Sequence, residues 1–397
     1  MPSVTSNVLE WARTTAGLSL QEAATKLKVH STRSAVGTDR LKAYEEGLAK
    51  PTRSLLLRMS KVYRRPLLTF YLQSPPARGD RGQDFRTLPE RTTSAEPLVD
   101  ALIRDVRARQ AIVRSILEDE EDVEPLQFVG SMTMQQGVEP VMAAIRRALG
   151  FDLTTFRAQG SAEAAFTLLR QQAERIGVFV LLIGDLGSHH SAVEVEAFRG
   201  FALADALAPF ILINDQDARS AWSFTLLHEL AHLWLGATGI SGRIPEGQVE
   251  RFCNDVASGI LLPNNEILSA GVDPRTEFDR AYALISSFAD ERVVSRSLVA
   301  YRLFVADRVS EQLWISLRDR FLGEWQRAKA LAKERQRAKK KKTGPDYYIV
   351  RRHRLGPALL RFVARNLQEG DLTPTKAGKV LGVKARSVDP LLRGAGL

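Results

Sequence analysis

Three residues in the spacing His-Glu-x-x-His, namely His228, Glu229 and His232, could carry metal chemistry. They lie in residues 223–236, which are otherwise mostly apolar, and this composition predicts a helix that is buried nearly all round. On a helix, two histidines four residues apart project from one face, so their nitrogens can take two corners of a tetrahedral Zn²⁺ site. Glu229 follows the first histidine, so its carboxylate can reach a water molecule on the metal without ligating the metal. The pattern predicts a zinc site with Glu229 as general base.

A third metal ligand is expected from residues 249–262, where apolar residues recur at helical spacing. Glu250 lies near the start of this segment, and Asn254 follows one turn later, where it can steady a ligand through a hydrogen bond. The set His228, His232 and Glu250 leaves the fourth tetrahedral position open, which is typical of catalytic zinc. The alternative is a pair of core histidines that flank a glutamate by chance, and it would leave a costly unpaired carboxylate in an apolar helix.

These motifs resemble the ImmA/IrrE family of bacterial metallopeptidases. The segments that carry the resemblance are Thr225-Leu226-Leu227-His228-Glu229-Leu230-Ala231-His232, Glu250-x-x-Cys253-Asn254-x-Val256-Ala257, Leu261-Leu262-Pro263, Phe198-Arg199-Gly200-Phe201-Ala202-Leu203 and Pro209-Phe210-Ile211-Leu212-Ile213-Asn214. Cys253 and Val256 depart from the usual family residues, which are Ala and Phe. The resemblance covers roughly residues 130–310. It implies a gluzincin-type zinc peptidase that cleaves helix-turn-helix repressors in regulatory or stress circuits.

Residues 1–75 show a succession of short helical patterns that is typical of a helix-turn-helix unit. Ser19 and Glu22 form the S-x-x-E capping box of one helix. The order of the segments, with Tyr44-Glu45-x-Gly47 and Lys50-Pro51-Thr52, also resembles the XRE-type repressor domain, which implies binding to an operator in double-stranded DNA. Residues 1–70 hold 12 basic and 5 acidic residues, so they account for most of the net charge of +10. Such an excess suits a surface that contacts phosphates.

The DNA contacts expected from this resemblance lie on two helices and the connection between them. Thr38, Arg40 and Lys42 would enter the major groove on the recognition helix. Gln21 and Arg33 would hold the phosphate backbone. The alternative is a helical bundle whose charges are merely solvated, and the basic excess together with the resemblance favours DNA binding.

The next two regions are predicted to be a linker with a connecting helix (residues 76–129) and the peptidase domain (residues 130–320). The connecting helix, over 97–117, is expected to pack on the peptidase or on a second copy of the chain in a homodimer. The peptidase elements are predicted as helices at 139–149 and 162–176 and strands at 178–183, 193–203 and 210–213. A small sheet backed by the metal helix gives an α+β, zincin-like fold. His189 and His190 are expected to be exposed loop residues and not ligands.

Residues 321–345 are predicted to be a basic linker, since nine Lys or Arg and one acidic residue lie within 327–342. A solvated helix or linker is the default interpretation, and an electrostatic arm on nucleic acid is the alternative. Residues 346–397 are predicted to be a small helical module with helices at 355–368 and 373–382. This basic module would be a second nucleic-acid module or the site where a partner protein docks.

The composition argues against secreted and membrane classes of protein. Cys253 is the only cysteine, which excludes an intrachain disulfide framework and fits a reducing compartment. The first residues lack the basic and apolar regions of a signal peptide, and no apolar run is long enough to span a bilayer. A cytoplasmic protein with no membrane partner is therefore expected.

Together, these patterns predict a DNA-binding regulator fused to a zinc endopeptidase that cleaves a repressor or another partner protein. The circuit would be a stress, mobile-element or toxin–antitoxin circuit, and residues 199–203 could bind an extended peptide by a strand edge. The first alternative is a non-proteolytic repressor or antitoxin that uses the peptidase fold as a sensor or as a scaffold for a cognate toxin. The intact Glu229 counts against it, because a scaffold needs no general base. A purely structural zinc is disfavoured, because only three protein ligands are evident.

Overall fold

The structure is a computed structural model that describes residues 4–31, 36–76, 96–187, 191–195, 197–236, 246–338 and 346–394. The predicted DNA contact Arg33 and the loop histidines His189 and His190 lie outside the described residues. Among the helices described here, none combines the length and the apolar composition that a membrane crossing requires.

The N-terminal unit contains four short α-helices and the 3₁₀ helix Leu67–Tyr71, which together bury a small core that includes Leu9, Leu27 and Leu41. The helices are α1 (Ser6–Thr14), α2 (Leu20–Leu27), α3 (Gly37–Glu45) and α4 (Arg53–Val62). The predicted capping box is confirmed: the Glu22 backbone N–H donates to Ser19 Oγ at 3.2 Å, and the Ser19 N–H donates to Glu22 Oε2 at 2.9 Å. The order of helices is the expected one, and the function of the unit in DNA binding stays a prediction.

The connecting helix α5 (Glu96–Asp119) packs on the peptidase within the same chain. Its Gln110 side chain donates to the carbonyl oxygens of Leu203 at 3.1 Å and Ala208 at 2.8 Å, so it ties the helix to the sheet. The first of the two predicted packings, on the peptidase, is therefore the one found. A homodimer stays a prediction.

A three-stranded sheet forms the centre of the peptidase. Its elements and the helices around it are α6 (Val138–Leu149), α7 (Leu153–Arg157), α8 (Ala162–Arg175), β1 (Phe179–Leu182), β2 (Gly200–Leu203), β3 (Phe210–Ile213), α9 (Arg219–Trp234) and α10 (Glu246–Leu261). The strand order is β1-β3-β2, with β1 parallel and β2 antiparallel to β3. The fold of this part is therefore α+β, as predicted.

The second strand is shorter than predicted, because it begins at Gly200 and not at Val193. The fully buried Asn214 explains the difference: its side-chain amide donates to the carbonyl oxygens of Val193 at 3.1 Å and Phe198 at 3.0 Å. The carbonyl oxygens of these two residues are thus held by a side chain, and the Val193 N–H donates to the carbonyl oxygen of Gly184 at 2.7 Å, outside the three-stranded sheet. Val193 and Phe198 are apolar because they are buried within a loop, and not because they belong to a strand.

Both faces of the sheet are covered, and every strand residue is buried. The residues that face α6, α8, α9 and α10 are Val180, Leu182, Ala202, Ile211 and Ile213. Those that face α5 and the C-terminal helices are Phe179, Leu181, Phe201, Leu203, Phe210 and Leu212. Continuous apolar strands such as these are typical of sheets without a solvated face.

The remaining helices extend the peptidase and complete the second face. They are α11 (Asn264–Ile267), α12 (Phe278–Glu291), α13 (Arg296–Val305), α14 (Glu311–Ala338), α15 (Tyr347–Leu355), α16 (Pro357–Glu369), α17 (Pro374–Leu381) and α18 (Val388–Arg393). The predicted basic linker is thus helical as far as Ala338. Leu355, Leu359 and Val363 of the C-terminal module join the core on the sheet. Residues beyond the predicted peptidase boundary therefore cover one face of its sheet.

Candidate metal centre

Helix α9 carries its polar residues inside the protein. From Trp222 to Trp234 nearly every residue is buried, because α9 lies between the sheet and helices α6, α8 and α10. His228, Glu229 and His232 are fully buried. Polar side chains in such surroundings lower the stability of the fold unless they have partners. These three residues are therefore candidates for a functional site.

The structure brings the three predicted ligands together. The Nε2 atoms of His228 and His232 lie 3.0 Å apart. Glu250, in the second turn of α10, places Oε2 at 3.3 Å from His228 Nε2 and Oε1 at 3.2 Å from His232 Nε2. Two ligands bonded to Zn²⁺ at about 2.1 Å and at the tetrahedral angle lie about 3.4 Å apart. The three side chains therefore fit around one zinc ion.

The charge of Glu250 suits a cation at this point. Burial disfavours the charged carboxylate and by itself raises its pKa. Hydrogen bonds and charge from His228 and His232 outweigh burial and hold the pKa of Glu250 below its usual value. The carboxyl group is therefore ionised near neutral pH, and the ionised form is the one that ligates metals.

Glu229 lies outside this set of three and packs under strand β2. A Cβ atom added to Gly200 would lie 2.8 Å from Glu229 Oε1, 2.6 Å from Thr225 Cγ2 and 3.0 Å from the carbonyl oxygen of Leu212. Glycine is therefore required where β2 crosses α9. Sequence reasoning missed this role of Gly200, although a glycine at a strand end is a signal for close approach of the backbone.

Two more residues contact the histidines. Cys253, three residues after Glu250 on α10, is fully buried and hydrogen bonded to His232. Burial raises the pKa of its thiol, and the nearby imidazole of His232 opposes the rise. The Phe224 ring lies 6.3 Å from the His228 ring, centroid to centroid. Asn254 is half buried on α10, and its predicted support of a ligand stays a prediction.

Strand β2 forms an edge of the sheet, but its four residues are buried. Residues 199–203 were predicted to bind an extended peptide at this edge. In the described conformation the edge is closed, since Phe201 and Ala202 are only 2% and 3% exposed. Addition of a peptide there requires the residues around β2 to move.

The predicted DNA-contacting residues on α2 and α3 differ in their exposure and in their hydrogen bonds. Gln21 and Lys42 are exposed, and Thr38 is half buried. Arg40 donates through Nη1 to the carbonyl oxygen of His30 at 2.9 Å, so its guanidinium already holds the connection before α3. Contact of these side chains with DNA stays a prediction.

Residues 174–304 match the family Peptidase_M78, described as the IrrE N-terminal-like domain. This segment is similar to the IrrE-like peptidases. It runs from the end of α8 into α13 and so contains the sheet, His228, Glu229, His232 and Glu250. The match supports the ImmA/IrrE resemblance and a peptidase-type function for this part of the chain. No curated protein and no solved structure matched the chain.

Proposed function

We propose that this chain is a zinc-dependent endopeptidase joined to a DNA-binding unit, and that it cleaves a repressor or another partner protein. The observation that carries the proposal is the convergence of His228, His232 and Glu250 within 4.8 Å, with Glu229 buried beside them. Three protein ligands with a fourth position open are typical of catalytic zinc.

In the proposed reaction, His228 and His232 would hold Zn²⁺ through Nε2, and Glu250 would hold it through its carboxylate. A bound Zn²⁺ supplies Lewis-acid chemistry, because it polarises a peptide carbonyl and lowers the pKa of a water ligand to about 7. Glu229 accepts the proton of the attacking water and passes it to the amine that leaves. Gly200 leaves room for the Glu229 carboxylate between α9 and β2.

The proposed DNA-binding unit comprises helices α1 to α4. Its support is the basic excess of residues 1–70 and the exposure of Gln21 and Lys42. Binding to an operator in double-stranded DNA would keep the peptidase near proteins bound at the same site, because tethering raises the effective concentration. A helix-turn-helix repressor is the substrate class that the family resemblance suggests.

One observation favours a second candidate, a non-proteolytic repressor or antitoxin. The closed edge of β2 gives an extended peptide no access in the described conformation. In that case the peptidase fold would act as a sensor or as a scaffold for a cognate toxin. Glu229 would then have no chemical task, although it is fully buried and a buried carboxylate is costly.

Metal analysis tests the proposed centre. Protein purified without chelator should hold about one Zn²⁺ per chain, and His232→Ala and Glu250→Ala should each lose it. The matched controls are His353→Ala and Glu277→Ala, two exposed residues of the same types, and both should keep the metal. Elemental mass spectrometry gives the stoichiometry. A metal-free wild type, or ligand variants that keep zinc, would rule out the centre.

A further inference from the structure

The C-terminal module contains two helices joined by a short turn. Helix α17 is followed by residues 382–384 and then by a helical stretch in which a 3₁₀ turn, Ala385–Ser387, runs directly into α18. Two helices joined by a three-residue turn that contains glycine have the form of a helix-turn-helix motif. We propose that residues 374–393 bind double-stranded DNA. This inference goes beyond the proposed function and does not depend on the N-terminal unit.

The turn is built for a close approach of the two helices. Gly382 ends α17 with a φ of 61°, in the left-handed region that glycine tolerates best. A Cβ added to Gly378 would lie 2.8 Å from the carbonyl oxygen of Val383 and 3.2 Å from the backbone nitrogen of Ala385. A side chain at position 378 would therefore push the second helix away from α17. Val388 of the second helix is buried in the same core as Val380 of α17.

Two buried arginines fix the turn to the rest of the protein. Arg351 of α15 donates through Nη2 to the carbonyl oxygens of Leu381 at 2.9 Å and Gly382 at 2.8 Å. Arg109 of α5 also presses on Gly382, since a Cβ there would collide with both guanidinium groups. The two helices are therefore held rigidly on α5 and α15. A rigid placement suits recognition, because a surface that is already ordered loses little entropy on binding.

The outer surface of the motif is basic. The exposed basic side chains are Lys376, Lys379, Lys384, Arg386 and Arg393. Asp389 is the one acidic residue within 374–393, and Arg393 pairs with it at 2.8 Å, so the other four charges are left for a partner. Lys384 is the last residue of the turn, and Arg386 lies in the 3₁₀ turn that leads into α18, so both are placed to contact phosphates where the second helix would approach the duplex.

The chemistry of this surface favours DNA over a protein partner. Within residues 374–393, all of them described, the large apolar side chains are buried or half buried, among them Val380, Leu391 and Leu392. Protein interfaces depend on a buried apolar centre, whereas DNA interfaces are polar and strongly basic. An exposed face with four basic side chains and no large apolar side chain is suited to contact the phosphates of DNA.

The test measures binding of the full chain to a fluorescein-labelled duplex of mixed sequence over a range of salt concentrations. The variant Lys384→Glu/Arg386→Glu should raise Kd about tenfold and lower the slope of log K against log salt by about 1.8, which corresponds to two phosphate contacts. The control Arg275→Glu/Arg280→Glu makes the same change in net charge at exposed peptidase residues and should leave both values nearly unchanged. The comparison is repeated with Lys42→Glu present, because the N-terminal unit is proposed to bind DNA too.

Three results would overturn the inference. They are an unchanged Kd and slope in the Lys384→Glu/Arg386→Glu variant, an equal loss in the control, or an effect that disappears in the Lys42→Glu background. Thermal melts monitored by circular dichroism show whether each variant is folded. If the charge-reversed pair unfolds, Lys384→Ala/Arg386→Ala decides the question, since it should still lower the slope by about 1.8. An unchanged slope in a folded alanine variant would equally rule out DNA contact.

Discussion

Two groups of ionisable side chains in the peptidase differ in where their polar atoms point. In the metal centre, His228, His232 and Glu250 turn their nitrogen and oxygen atoms toward one another at 3.0–3.3 Å. In the α8 pair, Arg170 donates to Glu174 at 3.0 Å and also to the carbonyl oxygen of His353 at 2.6 Å. The first group converges on one point, and the second is distributed over backbone partners.

This difference separates a site from a structural support. In the candidate metal centre, the nitrogen and oxygen atoms that meet are all of the kinds that ligate metals, so one cation can bind all three side chains. In the α8 pair, donors already match acceptors: the Ala358 N–H donates to Glu174 Oε2 at 3.1 Å, and Arg170 reaches carbonyl oxygens of the C-terminal module. Buried charge alone therefore does not indicate a functional site, whereas polar atoms that converge on one point do.

The largest effect on stability is expected from Arg170→Met. Methionine is apolar and similar to arginine in length, but it leaves the Glu174 carboxylate buried without its cation. Breaking such a buried pair costs about 3–5 kcal/mol. Denaturant unfolding should show this loss, while zinc content stays at the wild-type value. The double variant Arg170→Met/Glu174→Gln should recover part of the loss. A single variant as stable as the wild type would contradict a supporting role for the pair.

The loss of stability in the Arg170→Met variant should depend on pH. Burial raises the pKa of Glu174 in the folded protein, and Arg170 opposes the rise. Without Arg170 the folded-state pKa rises further above the unfolded value, so the folded state takes up the proton more readily. The stability deficit of Arg170→Met should therefore shrink as pH falls through that raised pKa and be fully present above it. A deficit that is constant from acid to neutral pH would contradict this explanation.

The sequence predicts those features that depend on local spacing. The helix α9 with its three polar residues, Glu250 near the start of α10, and the Ser19 capping box all follow from residues within a few turns. Contacts between distant segments have no local signature. The Asn214 side chain binds the carbonyl oxygen of Val193 from 21 residues away, and the C-terminal module covers one face of a sheet that lies about 180 residues earlier in the chain.

A smaller effect on stability is expected at the crossing of β2 and α9. Gly200→Ala adds a methyl group against Glu229 Oε1 and the Leu212 carbonyl oxygen, so β2 or the carboxylate must shift. Overpacking of this kind costs about 1–3 kcal/mol, and displacement of Glu229, the proposed general base, should lower the proposed cleavage activity at least tenfold. Zinc content should not change, because none of the three atoms nearest to the added methyl group belongs to a proposed zinc ligand. The matched control is Gly247→Ala, at a glycine with open space around it.

The smallest effect is expected from Cys253→Ala. The thiol is buried against His232, but it serves as a neighbour of a ligand and not as one of the three converging groups. Loss of one buried sulfur should cost about 1 kcal/mol in denaturant unfolding, with zinc retained. Loss of zinc in this variant would mean that the thiol belongs to the metal centre.

The proteolytic function itself is tested most directly by comparing wild type with Glu229→Gln at equal zinc content. Gln keeps the size of the side chain and the helix propensity but cannot act as general base. Both proteins are incubated with a lysate of the native cells, and new protein amino termini are quantified by labelling and mass spectrometry. We predict that wild type generates specific new termini and that Glu229→Gln generates them about 10²–10⁴-fold more slowly. Equal rates in the two proteins, or no new termini from zinc-loaded wild type, would contradict the proposed peptidase and leave the centre as a structural or sensing site.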